Sequence, residues 1–132
     1  MFSHIIVDAR DLNRLVAFYD RVLRELGLVP MSEADDGGPP GKGWQSPGRR
    51  WPQFFVQEPF NGQPASPGNG TQVSFACASR EQVDAAWAAA LANGGSDEGS
   101  PGVRVRYAPD YYGAYCRDPE GNKLCFVHAA GL

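Results

Sequence analysis

The chain has 132 residues, 42% of them hydrophobic and 20% charged, which suits one globular domain or two small modules that share a core. Its formal net charge of -3, with no basic run beyond Arg49-Arg50, argues against a phosphate-backbone partner, so no nucleic acid is expected. Charges interrupt the opening MFSHIIVDARDL before an export signal forms, and 85-AAWAAALANGG-95 is too short to span a bilayer, so no membrane partner and a cytoplasmic location are expected.

In chain order, 2-FSHIIVD-8 reads as a strand rich in branched residues. The stretch 11-DLNRLVAFYDRVLRELG-27 follows with Leu12, Leu15, Val16, Tyr19, Val22, Leu23 and Leu26 at helical spacing, Asp11 as its cap and Gly27 as its stop. Short extended pieces come next at 27-GLVPMSEA-34, 42-KGWQS-46 and 52-PQFFVQE-58. The same series then repeats. A strand at 71-TQVSFACA-78 precedes a helix at 79-SREQVDAAWAAALANGG-95, where Ser79 and Gln82 have capping-box spacing and Gly94-Gly95 ends the turn. Three extended pieces follow at 102-GVRVRYA-108, 111-YYGAYCR-117 and 122-NKLCFVH-128.

One constant offset carries His4 onto Gln72, Asp11 onto Ser79 and Tyr19 onto Trp87, which makes the chain an internal repeat. The reading is an α+β fold of two βαβββ modules forming a curled eight-stranded mixed sheet around a cleft, with the helices outside. Residues 1–58 make the first module, 59–70 a linker and 71–132 the second. The Gly/Pro-rich segments 35-DDGGPPGKG-43 and 59-PFNGQPASPGNG-70 match neither a phosphate-binding loop nor a dinucleotide fingerprint and read as surface connections. In 118-DPEGN-122, Pro119 and Gly121 fit a tight turn that joins the last two strands.

Strand alternation sorts the side chains onto two faces. Ile5 and Val7, then Val73, Phe75 and Cys77, then Leu124 and Phe126, should lie under the helices. His4, Gln72, Lys123 and Cys125 then share the opposite face, and His128 points away from it. Tyr111 and Tyr115 take one side of their strand and Tyr112 the other. Aromatic residues gather on the later strands, with Trp44, Trp51, Phe54, Phe55, Tyr111, Tyr112 and Tyr115, a composition that suits a small-molecule pocket wall or plain packing. Arg104 and Arg106 either meet an anionic group of a ligand or are exposed edge-strand residues.

The strand HIIVD, the helix DLNRLVAFYDRVLRELGL, the segment VDAAWAAALANGG, the run PGVRVRYAPDYYGAY and above all RDPEGNKLCFV resemble the vicinal oxygen chelate superfamily of glyoxalases, extradiol dioxygenases and bleomycin resistance proteins. The likeness covers nearly the whole chain apart from the Gly/Pro loops. In metal-dependent members it implies a divalent ion, zinc, nickel, manganese or iron, held by up to four strand residues. Carried over, the positions are His4, Gln72, Cys125 and, on PQFFVQE, Phe55, with Gln53 and Gln57 on the same face. Only His4 is a conventional ligand among them, and the family's GNxxE glutamate is replaced by Cys125 in GNKLC. No cofactor is therefore expected, with a divalent metal as the alternative.

Candidate ligand-binding residues are His4, Trp44, Phe55, Gln72, Tyr112 and Cys125. The catalytic candidates are His4 and Cys125. His4 is a ligand, a base or a hydrogen-bonding wall residue. Cys125 is a nucleophile only if His4 or Lys123 lowers its pKa, and otherwise a small apolar filler. With three cysteines and no CxxC pair, free thiols are expected rather than a Cys116–Cys125 disulfide. Two readings of function follow: a small-molecule-binding protein whose aromatic cleft holds an organic ligand without metal, or a metal-dependent lyase, isomerase or dioxygenase with a non-standard His/Gln/Cys site. The resemblance also implies a homodimer.

Overall fold

The computed structural model describes residues 1–32 and 36–132. The end of the 27–34 segment and the start of the 35–43 loop lie outside the described residues. The chain divides into two compact units, Met1–Ser66 and Pro67–Leu132. Among the described residues, eight strands form two four-stranded mixed sheets, each confined to its own unit.

The first unit runs β1 (His4–Asp8), α1 (Leu12–Glu25), β2 (Val29–Pro30), β3 (Gly41–Gln45) and β4 (Gln53–Gln57). Its sheet order is β1-β4-β3-β2, with β1 parallel to β4 and the remaining pairs antiparallel. α1 begins where expected because the Asp11 carboxylate accepts the Arg14 N–H at 3.1 Å. Its buried stripe, Leu15, Phe18, Tyr19, Val22 and Leu23, packs with Val7, Trp44, Phe54 and Val56 from the sheet. The Tyr19 ring lies 5.0 Å from both Phe18 and Phe54, so aromatic rings meet inside an otherwise aliphatic core. The segment after β4 is fastened to the unit rather than free. Ala65 is buried, and its carbonyl accepts a hydrogen bond from the Arg10 guanidinium.

The second unit repeats the plan with β5 (Gln72–Ala76), α2 (Arg80–Ala92), β6 (Ser96–Val103), β7 (Tyr112–Arg117) and β8 (Lys123–His128), in the order β5-β8-β7-β6. Ser79 caps α2 by accepting the Gln82 N–H at 3.2 Å, while the Gln82 side chain accepts from Ala78 N–H at 2.7 Å, one residue earlier than a standard capping box. α2 buries only Val83, Ala86 and Ala90, small side chains that sit over Ala114, Cys116, Leu124 and Phe126. The β7–β8 turn is built on Asp118, which is buried although charged. Its carboxylate accepts the N–H groups of Glu120 (2.9 Å) and Asn122 (3.0 Å) and the Asn122 side-chain amide (2.7 Å). Gly121 supplies the positive φ of 94° that the turn requires.

One strand differs from expectation. The sixth strand occupies Ser96–Val103, and VRVRY, which alternates like a strand, instead leaves the sheet at Arg104. The cause is local. SDEGSPGV tolerates two glycines and a proline because β6 is an edge strand whose register against β7 shifts twice. The Arg104 N–H then bonds to the Tyr111 carbonyl (2.8 Å) and Tyr107 N–H to the Arg104 carbonyl (3.0 Å), closing a loop across residues 104–111. Among the described residues no helix is long and apolar enough to cross a membrane.

Candidate functional site in the second unit

The face of the second sheet that turns away from α2 carries Gln72 and Ser74 on β5, Lys123 and Cys125 on β8, and Tyr115 on β7. Their pairing is direct, with Gln72 opposite Lys123, Ser74 opposite Cys125, and Cys125 opposite Tyr115. Above this face opens a cavity of about 480 Å³. Gln72, Tyr115 and Lys123 line it from the sheet, and Glu98 and Gly99 from β6. The loop 104–111 contributes Arg104, Arg106, Tyr107 and Tyr111.

Three tyrosines give the cavity its aromatic walls. Tyr107 and Tyr111 have ring centroids 5.0 Å apart, and the Tyr111 and Tyr115 hydroxyls share a hydrogen bond of 3.2 Å. Tyr111 can lie against the sheet because the residue beneath it is Gly113, where a Cβ would come within 2.8 Å of the Tyr111 ring. Its hydroxyl reaches the Cys125 sulfur at 3.5 Å. Burial, then the hydrogen bonds to Tyr115 and Cys125, push the Tyr111 phenol well above its ordinary value. Burial raises Tyr115 as well. Both hydroxyls are therefore neutral at physiological pH; one of their two protons lies in the bond they share, which leaves the other as a hydrogen-bond donor.

The charges are arranged around these rings. The Arg104 guanidinium lies 5.8 Å from the Tyr115 centroid and Lys123 Nζ 5.7 Å from the same ring. Arg106 sits 4.7 Å from the Tyr107 centroid and donates to its hydroxyl at 2.8 Å. Glu98, the only acid on the lining among the described residues, is held by Arg117 at 2.6 Å.

The sequence candidates fall in different places. Gln72 lines the cavity, and its amide donates to Ser74 Oγ at 3.0 Å. Cys125 is at the family position on β8 but is fully buried beneath the Tyr111 hydroxyl, with no face open to a substrate. Trp44 is not on an open face. It is 1% exposed inside the first unit's core, where its indole N–H donates to Asp20 on α1 at 3.0 Å. Tyr112 turns toward α2, donating to Asp84 at 2.8 Å, with the Arg80 guanidinium 4.9 Å from its ring. Alternation explains both placements: Trp44 stands beside Gly43 and Tyr112 beside Tyr111, and in each pair it is the neighbour that faces away from the helix.

His4 and Phe55 share the open face of the first sheet. Their rings meet edge to face at 6.2 Å, and the exposed Trp51 lies 6.3 Å from His4. His4 Nδ1 is 2.9 Å from Ser3 Oγ. Phe55 pairs with Ile6 on β1 as Cys125 pairs with Ser74 on β5, so these two residues hold matching register positions in the two units. As donors for a divalent ion, the four family positions do not fit. Phe55 has no donor atom, Gln72 offers a neutral amide, and the Cys125 thiol is occupied by a tyrosine hydroxyl. Among the described residues, no three His, Cys, Asp or Glu side chains are grouped as a metal ion would need.

Sequence reasoning missed Tyr107 and Glu98 and left Arg104 and Arg106 open, because it continued a strand through the loop that brings these arginines to the cavity. The signal was available in GSPG, whose glycines and proline mark a bulged edge strand that ends early.

Residues 4–127 match the family of the glyoxalase-like domain. Among solved structures, a glyoxalase/bleomycin resistance protein from Albidiferax ferrireducens T118 is 41% identical, covers 98% of each chain and superposes with a TM-score of 0.81. A glyoxalase/bleomycin resistance protein/dioxygenase family enzyme from Burkholderia phytofirmans PsJN shares the fold at 18% identity over 96% of each chain, with a TM-score of 0.68. So does a lactoylglutathione lyase from Agrobacterium tumefaciens, at 20% identity, 98% of this chain and 93% of the other, with a TM-score of 0.64. No curated protein sequence matches. On the repeat, the strand order and these likenesses together, the chain belongs to the glyoxalase-like domain family of the vicinal oxygen chelate superfamily.

Proposed function

We propose that this family member is a small-molecule-binding protein that works without the superfamily's metal, holding an organic ligand in the cavity of the second unit. The observation that carries the reading is that cavity itself: about 480 Å³, walled by Tyr107, Tyr111 and Tyr115 and edged by the polar groups of Gln72 and Lys123. That volume lies in the range of small-ligand sites, and aromatic walls with a few polar groups hold and orient a flat molecule. The donor chemistry of His4, Phe55, Gln72 and Cys125 supports the metal-free half of the proposal, and no reaction step is assigned to Cys125, which is covered.

The test is a thermal-shift screen of small organic molecules, run in parallel with and without a chelator. Hits should raise the unfolding temperature equally in both series, because ligand that binds only the folded state stabilises it by mass action. The competing reading is a metal-dependent lyase, isomerase or dioxygenase. It takes over if the purified protein holds near-stoichiometric zinc, nickel, manganese or iron that a His4→Ala variant loses, and if binding fails under chelation.

A further inference from the structure

Resting on the binding reading above, we infer that the ligand is an organic anion, a carboxylate or phosphate attached to a flat ring, and that Arg104 is the residue that selects it. The cavity's charge balance points this way. Arg104, Arg106 and Lys123 make no ion pair among the described residues, whereas the single acid on the lining, Glu98, is already paired with Arg117. A chain with a net charge of -3 thus gathers three uncompensated cations around one cavity.

Arg104 is also seated rather than loose. β6 has glycines at Gly99 and Gly102, and a Cβ there would approach the Arg104 guanidinium to 3.5 Å and 2.8 Å respectively. One of its nitrogens, Nη2, donates to the Ser100 carbonyl at 2.7 Å, and the group stays near the Tyr115 ring. A guanidinium fixed by one backbone bond and one aromatic ring keeps further N–H donors for a planar oxyanion, with little side-chain entropy left to lose. The hydrogen-bonded hydroxyl pair of Tyr111 and Tyr115 adds one further O–H donor on the same cavity, and the three rings accommodate the flat part of the ligand.

The experiment titrates benzoate, phenyl phosphate and the neutral isostere benzamide into the full chain, following side-chain and backbone NMR shifts of Gln72, Tyr111 and Tyr115. The series is repeated on Arg104→Gln and Lys123→Gln. The expected result is that at least one anion binds about tenfold tighter than benzamide, that added salt weakens it, and that Arg104→Gln removes most of that preference by weakening the anion more than benzamide. Benzoate against phenyl phosphate decides which oxyanion is taken. Equal binding of benzamide and both anions, unchanged in the variants, overturns the anion inference and leaves the cavity reading intact. No shifts at these three residues with any probe overturns both.

Discussion

At the scale of single residues, the chemistry is set by which side of a strand a side chain leaves. Tyr111 and Tyr112 are adjacent, yet one covers Cys125 in the cavity and the other bonds Asp84 on the helix side. Their opposite parity was legible in YYGAYCR. Which of the two belonged to the site was not, because alternation alone does not say where a strand begins to pair. Asp118 is the residue whose role is most sharply defined. Its buried carboxylate satisfies three N–H groups in a turn, so Asp118→Ala should cost about 2–4 kcal/mol in a urea unfolding experiment, and Asp118→Asn less. A loss under about 0.5 kcal/mol for Asp118→Ala would mean that the turn holds without it.

At the scale of elements, caps and periodicity were readable because they are local. Asp11 and Ser79 accept the N–H groups three residues on, and the repeat puts β1 and β5, then α1 and α2, in matching places. β6 escaped notice since an edge strand with bulges need not obey strand propensity, and VRVRY lost its strand to a backbone bond between Arg104 and Tyr111. The burial of Trp44 was hidden for a similar reason: on β3 it is Gly43 that faces outward, leaving room for Phe55 and Met31. Strand packing also sets what each glycine tolerates. A Cβ on Gly41 would fall 2.6 Å from Gln57 Cβ and 2.7 Å from the Val56 carbonyl, contacts with β4 that cannot swing aside. Gly41→Ala should therefore destabilise by about 1–3 kcal/mol. Gly113→Ala should cost less, because the Tyr111 ring can move, and it should uncover Cys125 to a thiol reagent that leaves the native protein unmodified. Equal stability losses in the two variants would contradict this division.

At the scale of the whole molecule, the three cysteines are free and buried, and two of them tie stability to alkaline pH. Burial pushes the Cys77 thiol up to about 11, from 9.0, and the Cys116 thiol up to about 12. Because the folded values exceed the unfolded ones, the unfolded chain releases these protons first as pH rises. Their contribution is complete below pH 9 and is lost as pH climbs from 9 toward 11 and 12. The Tyr111 and Tyr115 phenols, also raised by burial, act in the same sense. Urea midpoints should thus fall between pH 9 and pH 11, and Cys116→Ala should fall less steeply than the native chain. A midpoint that is flat across that interval would show that the thiols ionise without unfolding. Every one of these groups belongs to the unit that carries the cavity, so alkaline loss of structure and loss of ligand binding should coincide.

The most direct test of the account is an NMR map of the residues that respond when an organic ligand from the chelator-treated screen is added to the protein. Shifts centred on Gln72, Tyr111, Tyr115 and Lys123, appearing without added metal, are the predicted result. Shifts confined to His4 and Phe55, or shifts that appear only after a divalent ion is supplied, would contradict it.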